Sequence, residues 1–418
     1  MSELIPKTAF VILPSGAFGG AEKRFTNLFI NLQNQYPGNF CYIINPLMMK
    51  HLNRVFPDLA DNNIKIITTA SNEIIEDSNG SLPGKYNDII PDPVETDKAA
   101  SPARKYYWYY KNKIRQKKIF REIEAIRKKE DIKVFVGIFA GGLPLVFYKE
   151  NNIPGVKIIF SDMDSWFSDV IKDTKKLWYR KYYSFNHILQ TADKVDFLSP
   201  YIADGVKKLG VNIPPEKISI SPCSFIDYSK CTIGDKTKME IAFASRLEPD
   251  KNPMLYLEAT REVLKEFPAV KFHLLGEGSL VNEINDYIAA NNLKDNINFE
   301  FHNNPPEIFS RTSIFVTLQS GTNYPSQSVL EAMACGNAVI ASRRGDTGLF
   351  INENNGMMVE LTAASVVNAL KTLISDQAKT KVLGKNAAKF AVENHTLEKV
   401  ADYYTTLIKN VYEGGFIG

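Results

Sequence analysis

Two doubly wound α/β domains in series are the architecture this chain predicts, and three observations predict it. Short apolar runs that read as buried strands recur along the whole length. Between them stand stretches with apolar residues at helical spacing, so strand and helix alternate and the sheets must be parallel, with helices on their faces. The alternation breaks at 226–238, IDYSKCTIGDKTK, which is polar and aperiodic, and 418 residues are long for a single core.

The first half opens with the strand Ala9 to Leu13, followed by the glycine-containing turn PSGAFGGAE. Phe25, Leu28, Phe29 and Leu32 then recur at helical spacing, and a second strand covers Phe40 to Ile44. Residues 73–103 are polar and punctuated by proline and glycine, so they read as an inserted loop. A long helix is expected over about 104–129, then strands at Val134 to Phe139, Ile153 to Phe160 and Lys194 to Leu198.

The second half repeats the grammar. A strand at Glu240 to Ala244 leads into the loop SRLEPDKNP and a helix over Met254 to Phe267. The strand Val270 to Leu275 runs into GEGS, and a helix over Asn282 to Asn291 precedes a strand at Ile297 to Phe301. Ile314 to Leu318 and Ala338 to Ala341 are apolar runs flanking a polar loop and the short helix Val329 to Ala334, and a helical region closes the chain from about 362. Two such domains imply a cleft between them, and ligands of these sheets bind outside the carboxyl ends of the strands.

Composition is that of a water-soluble globular chain, 44% hydrophobic and 23% charged. The first residues, MSELIPKTAFVILPSG, hold no basic region ahead of an apolar stretch, so no secretory leader is expected, and no apolar window is long enough for a membrane span. Cys41, Cys223, Cys231 and Cys335 have no zinc spacing and read as free thiols in a reducing cytoplasm. The net charge of +3 is uneven: residues 1–225 carry 31 Lys and Arg against 24 Asp and Glu, whereas 226–418 carry 19 against 23. The first half therefore suits an anionic surface.

Three loops at strand ends are candidates for a site. SGAFGGAE (15–22) opens a helix, where glycine lets a ligand approach the backbone and helix N–H groups face a phosphate; a plain turn explains it equally well. ASRLEPDKNP (244–253) places Arg246 and Lys251 on one loop, a fork and a point charge suited to a diphosphate, or simply a solvated loop. GTNYPSQSVLEAMACG (321–336) holds Ser326 and Ser328 at a helix start and Glu331 in what reads as its first turn. The helix dipole favours an acid there by about 0.3–1 kcal/mol, which accounts for Glu331 without any ligand; the functional alternative is a carboxylate gripping the vicinal hydroxyls of a ribose.

Taken together and in order, Gly19-Gly20-Ala21-Glu22, Ser245-Arg246-Leu247 with Lys251-Asn252, Leu275-Gly276-Glu277-Gly278 and Leu330-Glu331-Ala332-Met333-Ala334-Cys335-Gly336 resemble glycosyltransferase family 4 along nearly the whole chain. The resemblance implies the GT-B fold, two Rossmann-like doubly wound domains facing a central cleft: an acceptor-side domain over 1–226, a nucleotide-sugar-binding domain over 237–395 and a last helix over 396–418 crossing back to the first. It implies a metal-independent hexosyltransferase type of enzyme, a retaining transfer from a nucleotide diphosphate sugar such as a UDP- or GDP-sugar to a glycan or lipid-linked acceptor, in surface polysaccharide or glycolipid assembly. The donor is the substrate, and no cofactor or metal is expected. Carried over by motif, Arg246 and Lys251 become the catalytic cations. Gly19, Gly20, Gly276, Asn323, Tyr324, Pro325, Ser326, Gln327, Ser328 and Glu331 become the donor-binding set. The family motif is Glu-x7-Glu, and here Asn323 stands at its first acid; an amide there can still bond a sugar hydroxyl, so an altered sugar contact is expected.

Other features leave alternatives open. Ser161, Asp162 and Asp164 end an apolar run and are candidates for acceptor or sugar contacts; Asp162-x-Asp164 also has the form of a metal-holding pair, or of ordinary loop capping. The segment 103–121 has eight Lys and Arg, no acid and five consecutive aromatics, which suits a peripheral contact with an anionic membrane at its cytoplasmic face, or a solvated helix packing on its own domain. Nucleic acid is not expected, because no recognition motif accompanies the patch. Two further functions share the fold: a nucleotide-sugar-binding protein without catalysis, and a nucleotide-sugar 2-epimerase.

Overall fold

The structure, a computed structural model, describes residues 5–14, 20–56, 59, 63–68, 101–162, 185–208, 210–324 and 326–414. Strands form where the apolar runs lie. In the first unit these are β1 (Thr8–Ile12), β2 (Phe40–Ile44), β3 (Ile64–Ile66), β4 (Val134–Ile138), β5 (Lys157–Asp162), β6 (Lys194–Phe197) and β7 (Ile218–Ile220). They pair in parallel in the order β3-β2-β1-β4-β5-β6-β7. Every residue of β1, β2 and β4 is buried, as a parallel strand covered on both faces requires, and each large apolar side chain so buried contributes about 1.5–3 kcal/mol.

The second unit carries β8 (Glu240–Ala244), β9 (Lys271–Leu275), β10 (Ile297–Glu300), β11 (Ile314–Thr317), β12 (Ala338–Ser342) and β13 (Gly356–Val359), all parallel, in the order β10-β9-β8-β11-β12-β13. Its core joins Phe243, Leu274 and Val316 of the sheet to Tyr256 and Val263 of the helix Pro253–Leu264 and Leu370 of the helix Ala363–Ser375. Both sheets double back once, at β1/β4 in the first unit and at β8/β11 in the second. Beyond such a reversal the loops diverge and leave a crevice at the strand ends.

The compact units comprise Met1–Pro222 with Val400–Gly418, and Cys223–Lys399. The helix Leu397–Glu413 therefore belongs, from Val400 on, to the first unit. Tyr404 anchors it there, with ring centroids 6.1 Å from Phe10 on β1 and 6.0 Å from Phe25 on the helix Gly20–Gln35. Its hydroxyl donates to Asp196 Oδ2 at 2.7 Å, and Tyr403 donates to Oδ1 of the same carboxylate. Asp196 is 1% exposed, and burial pushes its carboxyl up to about 6 although Tyr403, Tyr404, Ser161 and Ser219 all hydrogen-bond it.

Several boundaries differ from expectation for local reasons. The strand expected from Ile153 begins only at Lys157, because Pro154 and Gly155 (φ +71°) make a turn first. The long helix runs Pro102–Glu130, with the Ser101 hydroxyl accepting from Arg104 N at 3.3 Å and Asp131 closing it in a left-handed conformation (φ 55°). Of the insertion expected at 73–103, residues 73–100 lie outside the described residues.

Candidate functional site

The reversal at β8/β11 puts two of the candidate loops side by side. The loop after β8 carries Arg246 and Lys251, and the loop after β11 carries Asn323, Ser326 and Ser328. Hydrogen bonds lace them together, among them one from Asn252 Nδ2 to Ser320 Oγ at 2.9 Å. Lys251 Nζ donates to Gln319 Oε1 at 2.8 Å, Asn252 Nδ2 to Leu318 O at 2.6 Å, and Ser320 N to Asp250 O at 2.8 Å. Asn252 adopts a left-handed conformation (φ 53°), which asparagine tolerates well, and stands directly before Pro253, the first residue of its helix. Lys251 is half-buried and also pairs with Asp250 at 3.0 Å. Arg246 is exposed, and its guanidinium has no ion pair among the described residues. One cation is thus held by its neighbours and the other extends into solvent.

A third loop, after β9, closes onto the first. Ser245 N donates to Leu275 O at 3.1 Å, Leu247 N to Glu277 O at 2.7 Å, and Leu280 N to Leu247 O at 3.1 Å. Glycine is required at this contact. A Cβ on Gly276 (φ +147°) would stand 1.9 Å from Ser245 O, and one on Gly278 would stand 2.4 Å from Leu247 O. The GEGS glycines accordingly have a packing reason in addition to any ligand.

The helix Gln327–Ala334 starts beside this junction. Ser328 Oγ donates to Ala244 O, the last residue of β8, at 3.1 Å, which leaves Ser326 to donate to Ser328 Oγ at 3.0 Å. Ser326 occupies the N-cap but makes no side-chain cap bond, and Gln327 is half-buried beside it. Glu331 is half-buried and is the fifth residue of the helix, so it falls in the second turn, and the first-turn dipole explanation is corrected. The helix packs on the helix Gln377–Asn394.

Three expectations for side chains change. Asn323 is 1% exposed and its amide is saturated within the protein. Oδ1 accepts from Thr317 Oγ1 at 2.8 Å and from Gln319 N at 3.4 Å; Nδ2 donates to Ser342 O, Ser342 Oγ and Thr347 Oγ1, each at 2.9 Å. An amide so committed has no group left for a sugar hydroxyl. Tyr324 is 3% exposed, its ring 5.4 Å from Phe350 and 6.1 Å from His395, which makes it a packing residue. Ser161 is 1% exposed, with its hydroxyl 3.0 Å from Tyr404 Oη and 3.4 Å from Asp196 Oδ2, so it is buried in the network under the last helix. No spacing in the sequence signals these partners, since apart from Thr317 and Gln319 they come from other strands, turns and helices.

Gly20 is exposed and begins the helix Gly20–Gln35. Gly19, Pro325, Asp164 and the side chain of Asp162 lie outside the described residues, and the Asp162 backbone ends β5. In the first unit, the turn after β4 needs its glycines for packing: a Cβ on Gly141 would stand 2.2 Å from Val11 O. No described helix is long and apolar enough to cross a membrane.

Residues 230–390, which hold the loops after β8, β9 and β11, match the family model for group 1 glycosyl transferases. Among curated proteins the chain is 23% identical over 228 residues to the poly(ribitol-phosphate) alpha-N-acetylglucosaminyltransferase of Staphylococcus aureus (strain COL), covering 53% of this chain and 43% of that protein. It is 26% identical over 182 residues to spore coat protein SA of Bacillus subtilis (strain 168), covering 41% and 48%. The chain spans about half the length of these relatives. Among solved structures, Anabaena HepE in complex with UDP superposes with a TM-score of 0.70 at 14% identity, over 97% of this chain and all of that one. The fold is that of the GT-B glycosyltransferases: two Rossmann-like units with parallel sheets.

Proposed function

We propose that this protein is a retaining, metal-independent glycosyltransferase that moves a sugar from a nucleoside diphosphate sugar to a glycan or lipid-linked acceptor in surface polysaccharide or glycolipid assembly. The observation that carries the reading is the lacing of the loops after β8 and β11, which holds Lys251 at the reversal of the sheet on the same loop as Arg246, a cation with no ion pair among the described residues. The group 1 match over the same residues supports it, as does UDP bound to the HepE relative by fold.

The chemistry follows from charge. A sugar leaves a diphosphate through a cationic, oxocarbenium-like state while negative charge grows on the leaving phosphate. Arg246 supplies a planar fork for that phosphate, and Lys251 a point charge already held in place when the donor arrives. The first-turn N–H groups of the helix Gln327–Ala334 add a partial positive charge, and Glu331 takes the ribose hydroxyls. Two cations then do what a divalent metal would do elsewhere. Retention follows if the acceptor attacks from the face the phosphate leaves, with the leaving phosphate assisting removal of the acceptor proton.

The exposed face of the helix Pro102–Glu130 bears Tyr106, Tyr107, Tyr110 and Ile114, each more than half exposed, among its lysines and arginines. It suits a peripheral contact with anionic lipid, where ring and ammonium groups share the interface.

The test is an assay of donor consumption with UDP-, GDP- and ADP-sugars, with and without EDTA, in which the anomeric configuration of the product is read by NMR. Transfer that survives EDTA and keeps the donor's configuration is expected. Conversion of the donor with no acceptor present would point to an epimerase, and no turnover of any donor would leave a binding protein.

A further inference from the structure

We propose that Asn323 is a positioning residue for Lys251, acting through Gln319, and that its place requires a neutral amide. The inference rests on the donor-site reading above and assigns Asn323 a role other than touching sugar.

The amide orientation is set by groups that cannot exchange roles. Gln319 N–H can only donate, so it meets Oδ1; the Ser342 carbonyl can only accept, so it meets Nδ2. Both backbone groups of Gln319 are then tied to Asn323. The N–H goes to Oδ1 directly, and the carbonyl accepts at 2.7 Å from the Ser342 hydroxyl that itself receives Nδ2 at 2.9 Å. Thr347 Oγ1 accepts both the side-chain and the backbone N–H of Asn323, at 2.9 and 3.3 Å, and donates to Arg344 O at 2.6 Å, so the far side is anchored to the turn Gly345–Leu349. With its backbone held at both groups, Gln319 presents Oε1 to Lys251 Nζ at 2.8 Å.

Two consequences follow. An acid at 323 would set a carboxylate oxygen against the Ser342 carbonyl, two acceptors with no proton between them, in a place only 1% exposed. In addition, Gln319 holds the ammonium by a neutral oxygen and adds no negative charge to that of Asp250, which already pairs with Lys251 at 3.0 Å.

The test is a double-mutant cycle on nucleoside diphosphate affinity, measured by calorimetry with whichever of UDP, GDP and ADP binds the wild-type chain most tightly. Lys251→Ala is expected to weaken binding by about 10- to 100-fold, the range of one charge-assisted bond. Gln319→Ala and Asn323→Ala are each expected to weaken it by about 3- to 10-fold in the wild-type background and by less than about twofold once Lys251 is alanine, because coupled residues do not add. Gln319→Ala leaves the Asn323 side-chain network intact, so the cycle remains available if Asn323→Ala fails to fold. A merely structural Asn323 would cost the same in both backgrounds. Losses that multiply, or no loss at all, would overturn the positioning role and leave the donor site standing. If none of the three nucleotides binds the wild-type chain, the donor-site reading falls and this inference with it.

Discussion

Glu248 and Ser279 clasp the loops after β8 and β9: Ser279 N donates to Glu248 Oε1 at 3.1 Å and Ser279 Oγ to Oε2 at 2.5 Å. Glu248 sits between Arg246 and Lys251, so the clasp fixes the loop that carries both cations. Glu248→Ala is expected to cost about 1–2 kcal/mol of stability and to raise the donor KM several-fold with little change in kcat, while Glu248→Gln recovers part of the loss by still accepting from the Ser279 N–H. Steady-state kinetics beside a denaturant titration would check this. An unchanged KM in the alanine variant would remove the clasp from donor binding.

Gly276→Ala tests the close approach of the same two loops. The new methyl would overlap the Ser245 carbonyl at a backbone angle that L-residues rarely adopt. A loss of about 3 kcal/mol or more is expected, read as a large drop in Tm. Gly348→Ala, which meets nothing within 4 Å, is the matched control with little effect.

Asp196 makes stability depend on pH. Its folded carboxyl titrates at about 6, above the unfolded value near 3.9, so the folded chain holds this proton more tightly. The stability this supplies is full below about pH 4, is lost as pH rises to about 6 and is constant above, a change on the order of 3 kcal/mol. Asp196→Asn removes the titration. The difference between wild-type and variant stability should therefore decline from pH 4 to pH 6, and a flat difference would show that Asp196 titrates normally.

Replacing Tyr106, Tyr107 and Tyr110 together by serine is expected to abolish co-sedimentation with vesicles containing anionic phosphatidylglycerol while leaving Tm unchanged, since all three rings are exposed. Wild-type chain that fails to sediment with those vesicles would exclude the lipid contact.

What the sequence made legible tracks burial. β1, β2, β4, β11 and β12 are buried at every position, so apart from Thr8, Thr317 and Ser342 at their ends they are runs of hydrophobic residues and Gly137 and stand out. β3, β7 and β13 escaped the reading. Each lies at a sheet edge and pairs with one neighbour, and the segments IKI, ISI and GMMV are short and mostly half-buried. Arg246 and Lys251 were visible because cations on a loop after a strand are unusual enough to notice. The state of Asn323 was not, because its amide is satisfied by Ser342 and Thr347, 19 and 24 residues further on, and only the β12 pairing brings them back. Glu331 was placed one turn too early because the helix begins at Gln327, ahead of its apolar face.

Thermal shift with UDP-, GDP- and ADP-sugars, on wild-type chain and on the Arg246→Ala/Lys251→Ala pair, tests the donor site most directly. Ligand that binds only the native state stabilises it by mass action, by about 2.7 kcal/mol at a hundredfold excess over Kd. The expected result is that one nucleotide class raises the wild-type Tm by several degrees, whereas the double variant melts at the wild-type apo temperature and does not respond. A shift of equal size in both proteins, or none with any donor, would contradict the assignment of Arg246 and Lys251 to a diphosphate.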